Sequence, residues 1–181
     1  MRKFLLRLMV VVFAVILQAS FVLPLFPLDF TPNIILSLAL AWVILLDFGA
    51  IWIWISIVGL FFDFFSSAAV GKGGIFLILT TYLVGFLARR FLTSGSRSWR
   101  NIAIISFVIL STVTYDFFIF FWDWIGGADT NSYLANSGLP FYLKSVTVRS
   151  FLNVLFFSLS YFFLEKLEKN ISFYENSRKI K

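Results

Sequence analysis

Apolar runs of about twenty residues recur along almost all of this 181-residue chain, separated by short stretches rich in Pro, Gly or charge. A hydrocarbon layer about 30 Å thick is crossed by about 20 residues of α-helix, so this spacing points to a chain whose solvent is lipid. Composition agrees. Of the residues 60% are hydrophobic and 13% charged, against roughly 45–50% and 25% in soluble domains. No segment is polar enough to form a separate soluble domain, and one all-α integral membrane domain is the reading.

The chain has neither Cys nor His. That removes disulfides, thiolate nucleophiles, Cys/His metal sites and histidine acid–base chemistry together. No cofactor is expected. The net charge of +6 is read as orientation and contact with anionic lipid headgroups, not as a nucleic-acid surface.

Six spans are predicted, at approximately 5–23, 33–46, 50–69, 75–88, 101–122 and 141–164, followed by a charged cytoplasmic tail at 165–181. The first has the basic start, apolar core and small residues (Gln18-Ala19-Ser20) of a secretory signal. Its core is long for that and further spans follow, so it is read as a retained helix. Pro24, Pro27 and Pro32 then end it. As one helix, Asn33 to Phe65 would reach about 50 Å, too long for the bilayer. It is therefore split into Asn33–Leu46 and Ala50–Ala69, with a tight turn at Gly49. Gly71-Lys72-Gly73-Gly74 is the next turn, Arg89 to Arg100 a basic loop, and Gly126 to Pro140 a long polar loop. The tail alternates in sign, and two readings stay open: an amphipathic continuation of the sixth helix along the membrane surface, or a solvated end.

Six spans place both termini on one side. That side collects Arg2, Lys3, Arg7, Arg89, Arg90, Arg97, Arg100 and the tail's basic residues, whereas the opposite loops hold Lys72, with Lys144 just inside the sixth span. By the excess of Lys and Arg in inner loops, the basic side is cytoplasmic.

A few side chains do not belong in lipid. Asp63 sits in Phe61-Phe62-Asp63-Phe64-Phe65, where a carboxylate costs about 2.5–3.5 kcal/mol at mid-membrane and calls for an interior position and a partner. At helical spacing Ser56, Gly59, Asp63 and Ser66/Ser67 share a face of the third span, and Gly74, Thr81, Gly85 and Ala88 share one of the fourth. The fifth carries Thr112 and Asp116, and the sixth Ser145, Arg149, Asn153 and Ser160. Arg149 is expected to pair with Asp63, Asp116 or both. Asp63, Asp116, Arg149 and Asn153 are then structural polar groups within the membrane. Ser56, Gly59, Thr81 and Gly85 form small-residue surfaces for helix packing or a partner helix. No nucleophile motif or metal-ligand cluster accompanies them, and Gly71-Lys72-Gly73-Gly74 lacks the Ser/Thr of a phosphate-binding loop. No catalytic, cofactor-binding or metal site is assigned, and the chain is not read as an enzyme.

Pro32-Asn33-Ile34-Ile35, then Gly59-Leu60-Phe61-Phe62-Asp63, Val70-Gly71 and Tyr82-Leu83-Val84-Gly85, in this order and spacing, resemble the rod shape-determining MreD family over roughly Met1 to Phe91. The remainder is similar only in size, hydropathy and basic loops, and its aromatic content of 20% departs from the family's Leu-rich style. The resemblance implies a non-enzymatic subunit of the cell-elongation complex in the bacterial inner (cytoplasmic) membrane. Such a subunit scaffolds peptidoglycan synthesis and cell shape by associating with MreC, a single-span protein, and through it with the MreB filament and wall-synthesis enzymes. Self-association stays open. It also implies a six-helix bundle resembling the substrate-binding component of energy-coupling-factor transporters. That likeness carries the alternative function, a vitamin-binding subunit whose external pocket would draw on Trp122, Trp124 and Tyr133 near Asp116 and Arg149.

Overall fold

The helices of this chain stand around one that is almost wholly enclosed. The computed structural model describes residues 2–65, 71–92, 97–125 and 131–179, and among them all regular structure is helical. In order these are α1 (Arg2–Leu17), α2 (Ile34–Leu46), α3 (Phe48–Phe65), α4 (Lys72–Leu92), α5 (Arg97–Ile125) and α6 (Asn131–Lys179). A π-helical turn, Gln18–Val22, and a last α turn, Leu23–Leu25, prolong α1, and a 3-10 turn, Leu28–Phe30, lies in the connection to α2.

Every residue of α2 from Ile34 to Val43 is buried, and α2 packs against each of the other five helices. A sequence apolar on all sides suits that position. At 1.5 Å per residue α2 is about 20 Å long, short of a hydrocarbon core of about 30 Å. Enclosure by protein frees it from matching that thickness. Its first turn is capped by Asn33, whose side chain accepts from the Leu36 amide at 2.9 Å.

The apolar run divides at Asp47, not at the expected Gly49. Asp47 takes φ 80° and ψ 145°, a region that glycine enters freely and other residues enter at a cost of about 1–3 kcal/mol. Its carboxylate is ion-paired with Arg89 of α4, which holds the turn from outside. Gly49 lies inside α3.

Among the described residues, four segments are long and apolar enough to cross a membrane: Lys3–Leu25, Lys72–Phe91, Trp99–Trp122 and Pro140–Asn170. Helix α2 and the apolar part of α3, Phe48–Phe64, are shorter. Outward faces carry Phe13, Phe64, Phe86 and Phe162, each more than half exposed, an apolar surface too extensive for water and suited to acyl chains.

Several expected boundaries move, and the expected basic loop from Arg89 to Arg100 is helical up to Leu92 and again from Arg97. Helix α4 starts at Lys72, so Gly71 (φ 95°) is the turn residue and Gly73 and Gly74 belong to the helix. The polar stretch before the sixth span is helical from Asn131, with Pro140 inside α6; Gly126–Thr130 lie outside the described residues, as do Ser66, Ser67 and Val70. The charged tail is not a separate segment, because α6 runs on through it to Lys179. One reason is Glu168. Arg7 donates to its carboxylate from Nε at 2.9 Å and from Nη2 at 3.0 Å, and Trp42 Nε1 donates to it at 3.2 Å. This forked, charge-assisted contact ties α1, α2 and α6 together at one end of the bundle.

Helices α3 and α4 pack backbone against backbone at Gly59 and Gly74. A Cβ on Gly59 would stand 2.7 Å from the Gly74 Cα, a backbone atom that moves only if the helices part. A Cβ on Gly49 meets nothing within 4 Å. Gly59→Ala is expected to lower the thermal midpoint of the purified protein. Gly49→Ala is expected to raise it, by up to about 1 kcal/mol of helix propensity.

Candidate functional site

At the end of the bundle opposite the Arg7–Glu168 clasp, helix ends and polar side chains converge. The first turn of α4 presents backbone amides with no partner inside the helix, and in apolar surroundings an unmet amide is costly. Asp63, two residues before the end of α3 and 1% exposed, meets three of them. The Gly71 and Gly74 amides each donate to Oδ2 at 2.9 Å, and the Gly73 amide donates to Oδ1 at 3.0 Å. The partial positive charge of a helix N-terminus favours an anion there. Glycine is required at the contact: a Cβ on Gly73 would fall on the carboxylate.

A second set of bonds caps α2 below the surface. Gln18, in the π turn, donates from Nε2 to the Pro32 carbonyl at 3.0 Å and accepts the Ile34 amide on Oε1 at 2.8 Å. From α6, Asn153 accepts the Asn33 amide on Oδ1 at 2.8 Å and donates from Nδ2 to Thr112 Oγ1 of α5 at 3.0 Å. The Ser37 hydroxyl donates to the Asn153 carbonyl at 3.1 Å. The Pro32 carbonyl and the Asn33 and Ile34 amides, at the entry to α2, are thereby satisfied by protein, as they must be if they lie at membrane depth. Ser145 fastens the same connection to α6, donating to the Asp29 carbonyl.

Beside this network Arg149 donates from Nη1 to Asp116 Oδ1 at 3.0 Å, the side chains being 21% and 15% exposed. The ion pair of Arg149 is therefore with Asp116. The expected alternative, Asp63, is engaged at the α4 terminus instead. Arg149 Nε and Asp116 Oδ2 are buried with no hydrogen-bond partner among the described residues. Both side chains line a cavity of about 280 Å³, whose walls also include Asp63, Lys72, Tyr115 and Asn153. Among the described residues no group of three or more acidic side chains is placed to hold a metal. The arrangement can bind and orient.

The small-residue positions serve the chain itself. Ser56 donates to the Trp52 carbonyl at 2.9 Å and Thr81 to the Leu77 carbonyl at 2.7 Å, each one turn back on its own helix. Gly59 faces Gly74, and a Cβ on Gly85 would come within 2.5 Å of Val43 Cγ1 in α2. Thr81, Gly59 and Gly85 are buried, so a partner helix does not reach them. Trp122 stands edge-on to Phe76 with ring centres 5.9 Å apart and does not line the cavity. The side chains of Trp124 and Tyr133 lie outside the described part of the structure.

Sequence reasoning missed Gln18, which it took for part of a signal-like end, along with Asn33, Ser37 and Tyr115. A lone Gln inside an apolar span is itself a signal of an interior polar contact. Comparison with protein families, curated proteins and solved structures gives no significant match.

Proposed function

We propose that the chain is a non-enzymatic scaffold subunit of a bacterial cell-elongation complex, as its sequence resemblance to the MreD family implies. One observation carries the reading: the residues of that resemblance are used to build the bundle. Asp63 caps α4, Gly59 seats the α3–α4 crossing, Gly85 seats α4 on α2, and Asn33 caps α2. A motif whose Asn33, Gly59, Asp63 and Gly85 hold helices together suits a protein whose task is to present a rigid shape. In this reading all six helices cross the inner membrane, with α2 enclosed by the others. The basic ends at Arg7, Arg89, Arg90 and Lys169 face the cytoplasm in accord with the charge asymmetry. The partner is a single-span protein of the MreC kind, held against the apolar exterior, and through it the MreB filament and wall-synthesis enzymes.

The alternative, a vitamin-binding transporter subunit, finds some support in the cavity. Its volume of about 280 Å³ lies just below the roughly 300–1,000 Å³ of drug-sized ligand sites. Purification of the intact protein in mild detergent from its own cells separates the two readings. Recovery of MreC is the expected result; recovery of a coupling ATPase in place of MreC would overturn the scaffold assignment.

A further inference from the structure

Ser56, Thr114, Thr147 and Ser158, on outer parts of the bundle, each donate to the carbonyl one turn back on their own helix. Tyr82 of α4 cannot do so, because its ring carries the hydroxyl too far from its own backbone. It is 55% exposed, and its ring stands edge-on to Phe48 with centres 5.2 Å apart. Its hydroxyl has no hydrogen-bond partner among the described residues. Depth makes that costly. Tyr82 falls in the middle of the span Lys72–Phe91, about 15 Å along the helix from Lys72 and about 10 Å from Arg89. Helical side chains lean toward the helix N-terminus, here away from Arg89, so the hydroxyl stays among acyl chains, which offer it no acceptor. Tyr in membrane proteins concentrates at the two interfaces, and a polar group at mid-span calls for a partner. The other exposed positions of α4 between Lys72 and Arg89 are Ile75, Leu79, Leu83 and Phe86. With Tyr82 they form one stripe of a helical face, apolar except at that hydroxyl.

We propose that this stripe of α4 is the interface between two copies of the chain, closed at its centre by a hydrogen bond between the two Tyr82 hydroxyls. Copies of one chain insert with one orientation, so a twofold axis relating them runs along the membrane normal. A contact through α4 then brings the same patch of both copies together, with each Tyr82 at the same depth as its counterpart. A phenol hydroxyl is both donor and acceptor. The pair therefore completes itself: one hydroxyl donates, the other accepts, and Leu79, Leu83 and Phe86 pack around them. A different partner helix would need an acceptor of its own at that depth, which a second copy carries by symmetry. The inference uses the span and the exposed face of α4 alone and is independent of the scaffold reading.

The chain has no cysteine, so single cysteines report contact without background. Leu79→Cys and Phe86→Cys lie about one turn either side of Tyr82 on the stripe. In the full chain, reconstituted in liposomes and treated with an oxidant, each is expected to form disulfide-linked dimers. Phe13→Cys in α1 and Phe162→Cys in α6, at positions also more than half exposed, are expected to stay monomeric. Tyr82→Phe keeps the ring beside Phe48 and removes only the hydroxyl, so it should fold. Measured by fluorescence transfer between labelled copies diluted with lipid, it should dimerise about three- to twentyfold more weakly than wild type, the range for one hydrogen bond between membrane helices. No cross-link from α4, equal cross-linking from α1 or α6, or an unchanged Tyr82→Phe would each overturn the proposal. So would a cross-link in cell membranes from Leu79→Cys to a protein of different mass, with none between copies.

Discussion

Replacing Asp63 by Ala is expected to remove most of the folded protein from the membrane. The side chain is 1% exposed and accepts the amides of Gly71, Gly73 and Gly74. Its loss leaves three backbone donors without their acceptor, those of Gly73 and Gly74 buried. A buried donor without a partner costs about 1–3 kcal/mol, so the sum is on the order of 3–9 kcal/mol, a large part of the roughly 5–15 kcal/mol that holds a typical domain together. The start of α4 would be released, and with it the α3–α4 crossing at Gly59 and Gly74. Asp63→Asn is expected to fail nearly as badly, because its NH2 group turns a second donor toward the amides it should accept. A fluorescent fusion read by size exclusion measures the effect directly. If Asp63 served chemistry or a partner instead, both variants would accumulate at the wild-type level, and that outcome would refute the cap.

Much of this arrangement could be read before any coordinates. The cost of a carboxylate in lipid is a property of one residue, so Asp63, Asp116, Arg149 and Asn153 could be placed inside a bundle from their neighbours alone. Which acid meets which base could not. On a helical projection Asp63 and Asp116 are equivalent, and the difference arises from a chain reversal at Gly71 that brings the next helix's amides to Asp63. The signal was present as three glycines 8, 10 and 11 residues after an acid, but it reads equally well as a loop. The sequence placed a break after Leu46 but gave the turn to Gly49 in place of Asp47, for the opposite reason. Glycine is the usual residue at positive φ, and only the tertiary contact with Arg89 explains why Asp takes it. The centrality of α2 was illegible because a helix apolar on every side looks the same whether protein or lipid surrounds it. The fate of the tail turned on Glu168, whose partners, Arg7 and Trp42, lie more than a hundred residues away.

At the other wall of the site, Arg149→Ala is expected to cut folded accumulation sharply, because it leaves the Asp116 carboxylate 15% exposed and without its cation. Removing one member of a buried ion pair typically costs about 3–5 kcal/mol. The pair itself is weaker evidence for stability than that figure suggests, since desolvation offsets much of its attraction. A neutral replacement of both partners, Arg149→Met with Asp116→Leu, should therefore accumulate better than Arg149→Ala alone. The comparison separates the two contributions: the single variant reads the stranded charge, and the double variant reads the net worth of the pair. Glu165 and Lys169 provide the internal reference. Their bond at 2.7 Å is shorter, yet the lysine side chain is 73% exposed, and exposed pairs one helical turn apart contribute only about 0.3–0.5 kcal/mol. Glu165→Gln should leave accumulation near wild type. Equal losses from Arg149→Ala and Glu165→Gln would show that burial does not set the strength of the Arg149–Asp116 contact. The polar end of the bundle would then be held by Asp63, Gln18 and Asn153 alone.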